Sequence, residues 1–211
     1  MNFNVQERKY SALKTLITVA ILMGRNSNKR RSIESIAFIS IFTALNIVIT
    51  VFISIPINNG QGYLNLSDAL TILISLVIHP LIGGAVGGIS GLISDLALGY
   101  GVFAPFTFII KALEGILSGY LFRITVKRNK KLGLGLLPVY AILAGLVMSG
   151  LYFVTDMILY RDFSIATIDI ALNALQGLFG AIVAIALSYS LFFVPIWKQI
   201  SITTNALFLQ K

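Results

Sequence analysis

Six apolar runs, separated by polar or turn-forming residues, make up most of the chain from Ile33 onward. Four of them reach the roughly 20 residues that a helix needs to cross the ~30 Å hydrocarbon layer. The third is near the lower limit, and the second crosses only if the bilayer thins or its ends are buried in protein. The pattern predicts an all-α membrane protein with six transmembrane helices in one bundle; a re-entrant hairpin of the second and third runs is the alternative. The runs are Ile33–Ile55, Leu66–Ile78, Leu81–Leu98, Val102–Ile124, Leu134–Tyr160 and Thr167–Ile196.

Composition and charge define the class of protein and its orientation. Of the 211 residues, 57% are apolar and 11% are charged, against about 25% charged in a soluble domain, which excludes a water-soluble globular protein. Fourteen of the 16 Lys and Arg residues lie in the N-terminal tail, the fourth-to-fifth loop and the C-terminal tail. The positive-inside rule therefore predicts cytoplasmic termini, and it explains the net charge of +8 without nucleic-acid binding.

The predicted organisation has three parts. Residues 1–31 form a basic tail or an interfacial helix, residues 32–198 form the six-helix domain, and residues 199–211 form a C-terminal tail. The predicted location is the plasma membrane of a prokaryote, as a multi-pass protein.

Polar side chains within the predicted spans indicate where a site could lie, because ionisable groups are costly there. Most of them fall in the outer half of the bilayer, which favours a pocket that opens outward and is closed from inside. The alternative is that these groups only pair with one another or cap helices. They are Asp68, Asp95, Lys111, Glu114, Asp156, Asn173 and Gln176.

The same level of the membrane is rich in aromatic residues, including Tyr100, Phe106 and Tyr152. Some would belong to the interfacial belt, and inward-facing rings would stack on a flat heterocycle. One intramembrane cation stands against four carboxylates, so a neutral or cationic hydrogen-bonding ring fits better than an anion. The chain has no cysteine and one histidine, and we expect neither a metal site nor a cofactor.

Small residues predict helix contacts. The third run carries overlapping G-x-x-x-G pairs between Gly83 and Gly91, a spacing that lets helix backbones approach closely in lipid. Ser40 and Ala44 form a small face on the first helix that could dock another helix. The G-x-S-G sequence at Ser90 resembles a serine nucleophile motif. The sole histidine, His79, is predicted at the cytoplasmic turn, about 13–15 Å from Ser90 along the helix, so no catalytic residue is expected.

Four sequence blocks resemble the substrate-capture (S) subunits of energy-coupling-factor (ECF) vitamin transporters, more narrowly the branch linked to hydroxymethylpyrimidine and vitamin B6 uptake. The resemblance covers about residues 32–194. The blocks are Tyr63–Leu70, Pro80–Tyr100, Ala104–Gly115 and Asn173–Ala181.

The resemblance implies a six-helix subunit that binds a water-soluble vitamin from outside. Its partners would be a transmembrane coupling subunit, which the Ser40/Ala44 face would contact, and two cytoplasmic ATPases that use the ATP. In this interpretation Asp95 and Lys111 set the charge of the pocket, and the segment before the second helix caps it. Pantothenate and riboflavin remain alternative substrates; a non-transporting scaffold and a stand-alone channel or carrier are alternatives of other classes.

Each expected substrate-binding residue has a role. Asn65 and Asp68 anchor the capping loop, and the amides of Asn173 and Gln176 bind polar edges of the ligand. Rings from Tyr100, Phe106 and Tyr152 contact its flat face.

Overall fold

The computed structural model describes residues 28–57 and 62–193. The predicted tail before residue 28 and the C-terminal tail from residue 199 lie outside these residues. Within the described residues each predicted apolar run coincides with a helix, except that Ile55, at the end of the first run, begins a strand. The elements are α1 (Asn28–Phe52), β1 (Ile55–Ile57), β2 (Gly62–Leu64), α2 (Ser67–Val77), α3 (Pro80–Leu98), α4 (Ala104–Arg128), α5 (Lys130–Leu159) and α6 (Phe163–Phe193).

Three helices within the described residues, α3, α5 and α6, are both long and apolar enough to cross a membrane. In contrast, α2 has 11 residues, which span about 16 Å at 1.5 Å per residue. Helix α4 has 25 residues and carries Lys111 and Glu114 within it. The helical, membrane-type architecture is therefore confirmed, whereas six full crossings and cytoplasmic termini stay predictions.

The chain divides after Phe38 into two units, and the core, the hairpin and the candidate site all belong to the second, which begins at Ile39. Helix α2 lies within this second unit and contacts α3, α4 and α6. Nine of its 11 residues are buried, and Ile72 and Ile74 are among the most buried apolar side chains of the core. Because it is covered on nearly every side, α2 tolerates a length that does not span the bilayer.

Glycine packing joins α3 to α4, as the G-x-x-x-G spacing predicts. A Cβ atom added to Gly88 would lie 2.8 Å from the carbonyl oxygen of Phe108, and one added to Gly115 would lie 2.7 Å from the backbone nitrogen of Gly84. Contacts this short leave no room for any side chain. The two backbones therefore touch directly, which fixes the separation of the helices that carry Asp95 and Lys111.

A short antiparallel hairpin, which the all-α prediction did not include, connects α1 to α2. Strand β1 pairs with β2 so that Ile55 lies opposite Leu64 and Pro56 opposite Tyr63. The hairpin occupies the segment that was expected to be a capping loop, and its β2 strand leads directly to Asn65 and the start of α2. Residues 58–61 of this segment lie outside the described part of the chain.

Candidate functional site

A cleft of about 600 Å³, counting the space at its open mouth, lies among β2 and helices α1 to α6. Its wall combines hydroxyls, amides, carboxylates and aromatic rings, a mixture suited to a small polar ring compound. The lining residues are Thr50, Tyr63, Asn65, Ser67, Gly91, Asp95, Tyr100, Phe103, Thr107, Lys111, Tyr152, Asp156, Asp169, Asn173 and Gln176.

The cation of the cleft is already neutralised. The ammonium of Lys111 donates to Oδ1 of Asp68 in a buried ion pair, and Oε2 of Glu114 lies 3.6 Å from the same nitrogen. Asp68 and Glu114 are fully buried, and Lys111 is 3% exposed. One ammonium thus faces two carboxylates away from water, so Lys111 has little remaining attraction for an anionic ligand.

Gln176 connects the start of α2 to α6. Its Oε1 accepts the backbone N–H of Asn65 at 2.9 Å, and its Nε2 donates to Oδ2 of Asp68 at 2.8 Å. The side chain of Asn65 in turn accepts the backbone N–H of Ser67 at 2.8 Å. Both polar atoms of the Gln176 side chain are therefore hydrogen-bonded within the protein, which reduces its capacity to bind a ligand directly.

Tyr63 holds the hairpin against α3. Its hydroxyl donates to Oδ1 of Asp95 at 2.7 Å, and its ring centroid is 5.1 Å from that of Tyr100. Burial, reinforced by the charge of Asp95, raises the pKa of Tyr63 well above its usual range. The hydroxyl consequently stays protonated and keeps donating, while Oδ2 of Asp95 has no hydrogen-bond partner among the described residues.

An aromatic and hydroxyl wall lies beside Lys111. The hydroxyl of Tyr152 donates to Oγ1 of Thr107 at 3.1 Å, and the Lys111 nitrogen lies 5.8 Å from the centre of the Tyr152 ring. Phe103 also lines the cleft, and its ring centroid is 5.7 Å from that of Tyr160. These rings provide faces on which a flat ligand could stack.

Seven of the nine residues expected at the site line this cleft: Asn65, Asp95, Tyr100, Lys111, Tyr152, Asn173 and Gln176. Asp68 does not line it, because its carboxylate is fully buried behind the wall and bonded to Lys111 and Gln176. Phe106 is not among the lining residues either, and Phe103, three residues earlier, lines the cleft instead.

Sequence reasoning assigned no role to several lining residues. Asp169 precedes Asn173 by four positions and so shares its helix face, a spacing that could have revealed it. Asp156 was noticed as an intramembrane charge but not placed in the site. Thr50 and Thr107 gave no signal, because threonine is common in apolar helices as a local hydrogen-bonding residue.

The G-x-S-G sequence has a structural role. Oγ of Ser90 accepts a hydrogen bond from Nδ2 of Asn46 at 2.8 Å and donates to the carbonyl of Gly87 at 3.1 Å. His79 instead caps α3, where its Nδ1 accepts the backbone N–H of Leu81 at 3.2 Å. Within the described residues, no group of three or more His, Cys, Asp or Glu side chains could hold a metal ion.

Ser40 and Ala44 lie about one helical turn apart on α1, and both are exposed in the isolated chain. Neither packs into the core, so both are accessible for a contact with another helix. Their role in docking stays a prediction.

Comparison with known proteins agrees with this architecture. Residues 30–192 match the family model for the S component of ECF-type riboflavin transporters. The chain is also 33% identical, over 144 residues, to a Pyrococcus woesei protein described as "Uncharacterized protein in gap 3'region"; the match covers 68% of this chain and 92% of that protein. Proteins of the matched family are membrane transporter subunits and not enzymes. The chain belongs to the S component family of ECF-type transporters.

Proposed function

We propose that this chain captures a small water-soluble vitamin or vitamin precursor with a heteroaromatic ring, hydroxymethylpyrimidine or pyridoxine/pyridoxamine, from outside the cell and delivers it inward. The observation that carries the proposal is the cleft, which is lined by aromatic rings, amides and carboxylates from several helices. A transport subunit needs such a binding site, whereas a scaffold protein does not.

The charges of the cleft favour a neutral or cationic ligand. Asp95, Asp156 and Asp169 line it, and Lys111 is paired with Asp68. Pantothenate, an anion, would meet three carboxylates and no unpaired ammonium among the described lining residues. Riboflavin, which the family model names, is uncharged and stays the alternative within the same class.

Binding to the isolated chain tests the proposal. The full-length protein in detergent would be titrated by calorimetry with hydroxymethylpyrimidine, pyridoxine, pyridoxamine, riboflavin and pantothenate, with thermal unfolding to verify the fold. We expect sub-micromolar binding of a pyridine or pyrimidine compound. A folded sample that binds none of the five would favour a scaffold protein, and tight binding of pantothenate would refute the charge argument.

The proposed partners are a transmembrane coupling subunit and two cytoplasmic ATPases, the module with which ECF S components work. The exposed Ser40/Ala44 face of α1 is the proposed contact, because small residues allow close helix approach in lipid. Replacing both residues with Leu should abolish co-purification with the module and leave vitamin binding unchanged. Leu45→Phe, at an exposed neighbouring position, is the control; equal loss in both variants would contradict this contact.

A further inference from the structure

Two buried carboxylates, Asp156 on α5 and Asp169 on α6, line the cleft and are close enough to interact electrostatically. They are 2% and 5% exposed, respectively. Oδ2 of Asp156 is buried and has no hydrogen-bond partner among the described residues. The described chain thus leaves a buried carboxylate oxygen, on a residue that lines the cleft, without the donor that such a group needs.

This arrangement is costly for the protein alone. A buried charge is stabilised only when it is paired or well hydrogen-bonded, a condition that Oδ2 of Asp156 does not meet among the described residues. The nearby carboxylate of Asp169 adds repulsion. Charged groups kept at such positions in membrane proteins usually serve a ligand or an ion. A cation placed between Asp156 and Asp169 would remove both the repulsion and the unpaired oxygen.

The surroundings favour an organic ammonium over a metal ion. The described residues include no cluster of three or more metal-ligating side chains, whereas calcium takes six to eight oxygen ligands. The ring of Phe103 lines the cleft, and aromatic rings attract organic cations. Asn173, one turn from Asp169, adds an amide oxygen that could accept an N–H.

We propose that Asp156 and Asp169 form an ammonium subsite of the cleft, which receives a protonated amino group carried by the ligand. This inference rests on the proposed function and narrows its substrate class to heteroaromatic vitamins or precursors that bear an amine. Tyr152 lies one turn from Asp156 on the same face of α5, about 6 Å along the helix axis. A ring stacked on Tyr152 would therefore place an aminomethyl substituent near Asp156.

Matched ligand pairs test the subsite. The full-length chain in detergent would be titrated with pyridoxamine against pyridoxine, and with 4-amino-5-aminomethyl-2-methylpyrimidine against its 5-hydroxymethyl counterpart. Each pair differs in one amino or hydroxyl group. We expect the amine of at least one pair to bind about ten- to hundredfold more tightly, as for one hydrogen-bonded charged contact.

Replacing each carboxylate with a carboxamide tests whether Asp156 and Asp169 cause the preference for the amine. Asp156→Asn and Asp169→Asn should each weaken binding of the preferred amine about tenfold and change binding of the alcohol by less than about threefold. Asp162→Asn is the matched control, because Asp162 is exposed, is not among the residues that line the cleft and accepts the backbone N–H groups of Ser164 and Ile165 at the start of α6. It removes the same charge and keeps an acceptor for the helix, so it should leave both affinities unchanged.

The outcomes separate the two proposals. Equal binding of amine and alcohol, or a preference that survives in folded Asp156→Asn and Asp169→Asn proteins, overturns the ammonium subsite. Binding of riboflavin alone also overturns it and leaves the capture function standing. Binding of no compound, including riboflavin and pantothenate, by a folded sample overturns both.

Discussion

Removal of the buried ammonium is the most direct test of the charge network. Lys111 faces Asp68 and Glu114, and all three residues are at most 3% exposed. Lys111→Met leaves two carboxylates without a cation. Removing one partner of a buried ion pair costs about 3–5 kcal/mol, a large share of the roughly 5–15 kcal/mol that stabilises a typical fold.

The second carboxylate makes the variants non-additive. Asp68→Asn should cost about 1–3 kcal/mol, because Glu114 still faces the ammonium and the new amide oxygen can accept from Gln176. In the Lys111→Met protein, however, Asp68→Asn removes an unpaired charge. The double variant should therefore be less destabilised than the sum of the two single variants by at least about 1 kcal/mol, within the range seen for residues in one network.

Unfolding by a denaturing detergent in mixed micelles, followed by helical circular dichroism, measures these differences. Lys127→Met is the control, since Lys127 is an exposed lysine at the end of the same helix and should change stability by less than about 0.5 kcal/mol. Additivity of Lys111→Met and Asp68→Asn within about 0.5 kcal/mol would refute the reasoning. If Lys111→Met does not fold, recovery of folded protein in the double variant is the expected result.

The remaining predictions concern packing, binding and pH. Gly115→Ala should destabilise the protein by about 1–3 kcal/mol through overpacking, because its Cβ would lie 2.7 Å from the backbone of α3. Gly135→Ala is the control and should not destabilise the protein, because its Cβ would have nothing within 4 Å. Unfolding in mixed micelles compares the two variants. Asn173→Ala should weaken vitamin binding about ten- to hundredfold with little change in unfolding temperature, whereas Gln176→Ala should lower both the affinity and the unfolding temperature. Calorimetry and thermal unfolding measure these changes. Unchanged affinity in both variants would remove the two residues from the site. Burial, aided by a nearby arginine, lowers the pKa of His79 to about 4, below its usual value near 6.5. Folding therefore favours the neutral ring, and the contribution of His79 to folding stability is lost as pH falls from about 6.5 towards 4. His79→Asn, which keeps a helix cap, should lose less unfolding temperature than the wild type between pH 7 and pH 4.5; an equal loss would count against this role.

Much of the fold follows from one-dimensional patterns. Apolar runs locate the helices because membrane helices need about 20 such residues, and the glycine spacing in α3 correctly predicts its close contact with α4. The hairpin at Ile55–Leu64 was missed, since strands of three residues are too short for an alternating pattern to appear.

The site was predictable at the level of charge and less so at the level of contacts. Intramembrane charge identified Lys111 and Asp95, because such groups are rare unless they have a role. The sequence could not show that Lys111 pairs with Asp68, 43 residues away, or that Gln176 bonds to Asn65 across the fold. Nor could it choose between Phe103 and Phe106, which differ by about one helical turn and thus depend on where α4 begins.

The shortness of α2 has a consequence for the electric field around the ligand. A helix of 11 residues is shorter than the ~30 Å hydrocarbon layer, and its first residue, Ser67, lines the cleft. The positive end of the helix dipole, worth about half an elementary charge, is therefore directed towards the cleft at a buried position, because Ser67 and Asp68 are both buried, and salt screens it less than at an exposed helix end. Asp68 lies in the first turn and gains from this field as well as from Lys111. Adding a turn at this end of α2 would displace that partial charge and occupy the space of the cleft at the same time, so the length of this helix couples the electrostatics of the cleft to its volume.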